Sequence, residues 1–80
     1  MSAAVALPEP VVKVCCNSAW TWAEYLTLPK PPKGDVSLML DANFEMRRML
    51  WRNCPECGSS HAVWLDDATG RPVDEYGRRL

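Results

Sequence analysis

Two thiols three positions apart on a glycine-ended turn, Cys54-Pro55-Glu56-Cys57-Gly58, can both point at one metal ion, and no other feature constrains this chain of 80 residues as tightly. A domain of this length buries only about 60% of the surface its unfolded chain exposes. Chains below roughly 80 residues therefore often recruit disulfides or a metal to complete a marginal core. Four cysteines in two clusters, Cys15-Cys16 and Cys54 with Cys57, suit either device. The stretch Met1 to Pro10 has no positively charged segment followed by a long apolar one, so secretion and disulfide formation are not the expectation. No apolar run approaches the roughly 18 residues that cross a bilayer. A cytoplasmic, metal-stapled domain without a membrane partner is the simplest reading.

A C-x-x-C turn acts as a metal clip because the second thiolate folds back over backbone amides that point at the sulfurs. Pro55 stiffens that turn and Gly58 supplies the positive φ it requires. Soft thiolates select zinc or iron, and with too few further ligands for an iron-sulfur motif the expected cofactor is Zn2+. A redox dithiol of the thioredoxin kind needs a βαβ surround with a helix starting behind the first cysteine, and neither is evident. Structural zinc takes four ligands in a tetrahedron. Beyond Cys54 and Cys57 the chain offers Cys15, Cys16 and His61, of which two are required. Neighbouring side chains on a strand point to opposite faces, so Cys15 and Cys16 reach one ion together only if the backbone bends there. Three arrangements stay open: all four cysteines; Cys54, Cys57 and His61 with one of the adjacent pair, Cys16 because it abuts the turn; or three of these ligands completed by another group.

Along the chain, residues 1–10 hold Pro8 and Pro10 and read as an extended arm leading into a strand at Val11 to Val14. Thr21 followed three residues later by Glu24 fits a capping box, which predicts a short helix within Trp20 to Leu28, ended by Pro29. Pro31-Pro32-Lys33-Gly34 makes a stiff linker and turn. From Val36 onward alternation favours strands, with Asp41-Ala42-Asn43 as a turn that pairs two of them in a hairpin. A helix over Asp41 to Leu50 is the competing reading, because Glu45 to Leu50 are good helix formers. His61 to Leu65 reads as a strand, Asp67 to Gly70 as a turn, and Arg71 to Glu75 as a weak returning strand held to an edge by Pro72. The domain then spans residues 11–75, and residues 76–80 form a basic tail.

With both cysteine clusters placed, the segment from Trp51 to Ser60 followed by an alternating strand resembles the second knuckle of a zinc ribbon. The resemblance covers roughly Val11 to Val73. It implies a small metal-stabilised β-rich domain: a zinc-ribbon-like, antiparallel three-stranded sheet with one short helix, clamped on a single zinc by two knuckles. The first knuckle departs from the family pattern. A ribbon has C-x-x-C-G where this chain has Cys15-Cys16-Asn17, and Asn17 can stand in for the glycine because asparagine tolerates the left-handed region.

Four tryptophans stand out in so short a chain. Trp51 and Trp64 flank the cysteine turn and are expected to cover the site and fill the core. In a helix Trp20 and Trp22 would lie about 200° apart. One of them is then expected on the surface, where an exposed indole serves as a partner-binding anchor. A formal net charge of -1 is unlike the strong basic excess of most nucleic-acid-binding domains. Arg47, Arg48 and Arg52 nevertheless cluster before the turn and are the candidate phosphate contacts, with a stacking tryptophan, in a nucleic-acid-binding alternative. No carboxylate pair, nucleophile and base constellation or phosphate loop is visible, and four filled ligand positions leave no room for a substrate. The expected function is that of a non-enzymatic, regulatory zinc-binding adaptor acting through protein–protein interaction, in transcription or another macromolecular machine.

Overall fold

Turn chemistry and alternation divide the described residues into two antiparallel sheets and a single turn of helix. The computed structural model describes residues 9–80; residues 1–8 of the expected arm lie outside the described residues. The elements are β1 (Val11–Cys15), β2 (Ser18–Thr21), α1 (Trp22–Tyr25), β3 (Val36–Leu40), β4 (Met46–Asn53), β5 (Ser60–Leu65) and β6 (Pro72–Val73). β1 and β2 form a two-stranded sheet, and the other strands form a four-stranded sheet in the order β3-β4-β5-β6. The three-stranded expectation is thus corrected. The N-terminal strand pairs with its own neighbour instead of joining the main sheet, because a two-residue loop closes it into a hairpin with Cys15 opposite Ser18.

The capping box forms as read: the Thr21 hydroxyl accepts from the Glu24 N–H and the Glu24 carboxylate accepts from the Thr21 N–H. The helix is shorter than the expected Trp20 to Leu28. Trp20 belongs to β2, and only residues 22–25 are helical. Asp41 decides between hairpin and helix for residues 36–53. Its Oδ1 accepts from the N–H groups of Asn43 and Glu45 at 2.9 and 3.0 Å, and its Oδ2 accepts from Arg47 Nε at 2.9 Å. Such a local acceptor gives the backbone turn partners in place of helical ones. The chain accordingly reverses between Leu40 and Met46.

Residues 76–80 are not a free tail. The Asp74 N–H donates to the Arg78 carbonyl at 2.8 Å, Val73 bridges Arg79, and the Arg78 guanidinium lies 5.1 Å from the centre of the Tyr76 ring. The closing turn carries these residues back along β6.

The core lies where the β1–β2 hairpin and α1 meet one face of the main sheet. Trp20, Tyr25, Leu50, Cys54, Val63 and Leu65 form it, with Val12, Cys15, Trp22 and Leu28 packed around. The main sheet contributes the cross-strand pair Leu50 and Val63, with Leu65 and Cys54 on the same face. This reverses the expectation for the tryptophans. Trp20 is buried in the core, and Trp22 is half-buried and stacks on Tyr25, so neither offers an exposed anchor. Trp51 and Trp64 are half-buried and lie outside that core cluster. Register explains it: Trp51 pairs with Ala62 and Trp64 with Met49, one position out of phase with Leu50 and Val63, which places both indoles on the other face of the pleated sheet.

Candidate metal centre

Each cysteine pair sits at the end of a hairpin. Cys16 and Asn17 form the two-residue loop between β1 and β2, with φ of 51° and 63°. Positive φ at both central positions is what a type I′ hairpin turn requires, and its twist matches that of the flanking strands. Asparagine tolerates this region, but cysteine adopts it at a cost. The bend that adjacent cysteines need is therefore at Cys16 itself. Cys15 leaves from the strand and Cys16 from the left-handed loop, and their sulfurs lie 3.8 Å apart.

The second clip is the loop between β4 and β5. The Cys54 N–H donates to the Ser59 carbonyl at 2.8 Å, and the Gly58 N–H donates to the Cys54 carbonyl at 2.9 Å. Gly58 takes φ of 76°, the role that the sequence assigns it. Cys54 is buried against the core while Cys57 stands at the surface.

The two clips converge. The Sγ atoms of Cys15, Cys16, Cys54 and Cys57 all lie within 4.8 Å of one another, and Cys15 and Cys57 approach to 3.6 Å across 42 positions of sequence. Four ligands at about 2.3 Å from a tetrahedral zinc are separated by about 3.8 Å. The closest sulfur pairs match that edge, and the set as a whole can hold a metal ion. His61 is not among them. It lies in β5 opposite Arg52, its ring packs edge-on against Trp20 at 5.9 Å, and its Nε2 is buried with no hydrogen-bond partner among the described residues. Of the five candidate ligands the structure therefore groups the four cysteines and leaves His61 apart, because the strand pleat turns His61 onto the core face against Trp20.

As bare thiols, Cys15, Cys16 and Cys57 share charge unequally. The Ser59 side chain and backbone N–H stabilise a thiolate on Cys57, helped by the neighbouring thiols of Cys16 and Cys15, and its pKa falls to about 6. Cys16 is pushed up to about 12 by its neighbours Cys57, Cys15 and Cys54, and Cys15 is raised chiefly by Cys57. One anion among close sulfurs suppresses ionisation of the others. A divalent cation reverses that logic and draws the thiolates together.

The three arginines do not form one patch. Arg47 pairs with Asp41 at 2.9 Å, Arg52 is buried and pairs with Asp35 at 3.0 Å, and Arg48 faces Asp67 at 3.5 Å. Strand alternation also puts Arg47 on the opposite face from Arg48 and Arg52.

What holds the two clips in position is the polypeptide between them. Tyr25 is fully buried, and its hydroxyl donates towards the Leu50 carbonyl at 2.8 Å and the His61 carbonyl at 2.9 Å. Burial raises its pKa to about 12. The Asn53 N–H donates to the Pro29 carbonyl at 2.8 Å, next to Cys54. The sequence marks Tyr25 only as an apolar helix residue, and nothing in its local pattern shows that it bridges two strands. Comparison with protein-family models, with curated proteins and with solved structures gave no match.

Proposed function

We propose that this chain is a zinc-ribbon-like adaptor: a Zn2+ ion bound by Cys15, Cys16, Cys54 and Cys57 joins its two sheets, and the domain acts by binding a protein partner. The observation that carries the reading is the four-sulfur set. Sulfurs spaced near the tetrahedral edge fill every coordination position of zinc, and a closed site of this kind stabilises a fold rather than activating a substrate. The departure from a plain ribbon lies in the first clip, where an I′ hairpin turn replaces the C-x-x-C-G knuckle.

A domain whose metal is fully ligated has its surface left for function. The most apolar part of that surface is the β3–β4 hairpin, where Leu38, Leu40, Phe44 and Met46 are all more than half exposed. Aliphatic and aromatic side chains gathered in this way mark interaction sites more often than inert surface. The aspartates facing Arg47, Arg48 and Arg52 leave those side chains less free for phosphate, which favours protein over nucleic acid as the partner. Native mass spectrometry tests the metal reading: one zinc per chain is expected, with loss of the fold on chelation. A metal-free protein that keeps its circular dichroism and thermal transition overturns it.

A further inference from the structure

β3 is an edge strand without the usual protection. Edge strands of soluble proteins carry charges, prolines or bulges that prevent pairing with another chain. Val36-Ser37-Leu38-Met39-Leu40 has none of these, and Val36, Leu38, Met39 and Leu40 are all exposed. At the other edge of the same sheet β6 is two residues long, contains Pro72, and is bridged by Arg79. Among the described residues, only the β3 edge of this sheet is open.

The direction of its free backbone groups follows from two hydrogen bonds. The Trp51 N–H donates to the Asp35 carbonyl, and the Asp41 N–H donates to the Glu45 carbonyl. In an antiparallel ladder the residues that exchange hydrogen bonds alternate along the strand. Residues 35, 37, 39 and 41 therefore face β4, and Val36, Leu38 and Leu40 turn their N–H and C=O groups to the open edge. The same three residues carry their side chains on one face of the sheet, in line with Met46 on β4.

We propose that the β3 edge pairs antiparallel with the β3 edge of a second copy of this chain, about a two-fold axis through Leu38. The proposal rests on the reading of the chain as a binding module and names its partner. In this register Leu38 lies opposite Leu38 of the second copy, and Val36 lies opposite its Leu40. Every outward-facing residue then meets another outward-facing residue, as hydrogen-bonded pairs require, so the junction forms about six backbone hydrogen bonds. Side chains match as well, because the apolar pattern at 36, 38 and 40 is symmetric about its centre. No charged side chain lies on the strand to oppose the approach.

The size of the patch fits. The exposed fractions of Val36, Leu38, Met39, Leu40 and Met46 leave on the order of 500 Å² of side chain in water per chain, so two copies bring up to about 1,000 Å² to the junction, the size of a weak, concentration-dependent interface. An isologous junction of this kind closes as a dimer, and the blocked β6 edge stops it from growing into a filament.

The test is sedimentation equilibrium of the full zinc-loaded chain from about 1 to 300 μM, alongside Leu38→Lys, with zinc content and circular dichroism recorded on the same samples. A concentration-dependent dimer is expected for the parent chain. Leu38→Lys places two ammonium groups at the axis and is expected to weaken the dimer at least tenfold, with zinc content and spectrum unchanged because Leu38 is 62% exposed. Should the lysine variant misfold, Leu38→Thr, uncharged and strand-forming, serves as the second variant with the same direction of effect. A parent chain that is folded, zinc-loaded and monomeric at 300 μM overturns the self-pairing and leaves the metal reading standing. A dimer of unchanged strength in the folded variants overturns the β3 junction. A folded but zinc-free parent chain overturns the metal reading, while its sedimentation still decides the pairing.

Discussion

Replacing Tyr25 by phenylalanine isolates one hydroxyl at the joint between the two sheets. The ring stays, so the core volume is kept and no large cavity forms. What goes is a donor shared between the Leu50 and His61 carbonyls at 2.8 and 2.9 Å. The size of the loss depends on whether those carbonyls have other partners. The hydrogen bond from the Cys54 N–H to the Ser59 carbonyl fixes the phase of the β4–β5 ladder. With Cys54 and Ser59 a hydrogen-bonded pair, Arg52 with His61 and Leu50 with Val63 are hydrogen-bonded pairs too, so both carbonyls retain a strand N–H when the phenol is gone. The cost is therefore the net worth of one hydrogen bond, about 1 kcal/mol, and not the larger penalty of an orphaned buried acceptor. In a domain of this length that lowers the thermal midpoint by about 4–8 °C. Because metal binding is coupled to folding, apparent zinc affinity should fall by up to about fivefold in a chelator competition. Tyr25→Ala, which also empties the ring site, should cost about 3–5 kcal/mol. Calorimetry of the zinc-loaded proteins and chelator titration measure both effects. A phenylalanine variant with an unchanged midpoint and affinity, or one as damaged as the alanine variant, refutes this account of how the clips are positioned.

Four further outcomes follow from the same geometry. Serine at Cys15, Cys16, Cys54 or Cys57 should each abolish stoichiometric zinc retention by native mass spectrometry, whereas His61→Ala should keep the metal, since His61 lies apart from the sulfur cluster. Zinc uptake near pH 7 should release the protons of Cys15 and Cys16, whose pKa values are raised, while Cys57 at about 6 is already mostly thiolate; calorimetry in buffers of different ionisation enthalpy counts them, and affinity should fall as pH is lowered. Asn17→Val forces a β-branched residue into the left-handed loop position and should lower both the thermal midpoint and zinc affinity, while Asn17→Gly should preserve them. The Asp41 carboxylate is held below its ordinary pKa, first by the Glu45 N–H, with Arg47 and the Asn43 N–H adding to it; its contribution is present above the unfolded value and is lost as pH falls through the folded one, so Asp41→Asn should flatten the acid limb of the stability profile.

Local chemistry was legible in the sequence and three-dimensional neighbourhood was not. The Thr21–Glu24 capping box, the Asp41 turn, the Cys54–Gly58 clip and the edge placement of Pro72 each depend on residues a few positions apart, and all four appear as read. The first clip was half legible. Asn17 signalled a left-handed position, but a hairpin turn written Cys-Asn lacks the usual glycine, so the placement of Cys16 in that turn was hidden. The tryptophans failed for a different reason. Reading Trp20 as helical set it at odds with Trp22, whereas a helix that starts two residues later leaves it in β2 facing the core. Strand phase likewise sent Trp51 and Trp64 to the far face of the sheet and His61 towards Trp20. Phase relative to the core depends on which sheet each strand joins, and local alternation does not carry that information.

The two sheets define what a metal held by the four sulfurs would add to this fold. Each hairpin is locally specified by its turn, yet an isolated two-stranded sheet such as β1–β2 is marginal in water. It is anchored to the main sheet by a handful of core side chains, Trp20 and Tyr25 foremost, and by the sulfurs at its tip. Tyr25 and the cysteines act at different points of the same junction: the phenol fixes the middle of the β4–β5 ladder, and a metal held by the four sulfurs would fix its end. Closing the contact between Cys15 and Cys57 joins positions 42 residues apart, a loop whose entropy the small core alone offsets poorly. The exposed side chains of the β3–β4 hairpin, Leu38, Leu40, Phe44 and Met46, take no part in that junction. They neither support the core nor approach the sulfurs, so they are free to be selected for contact with another chain, and damage to them should alter association while leaving metal content and fold intact.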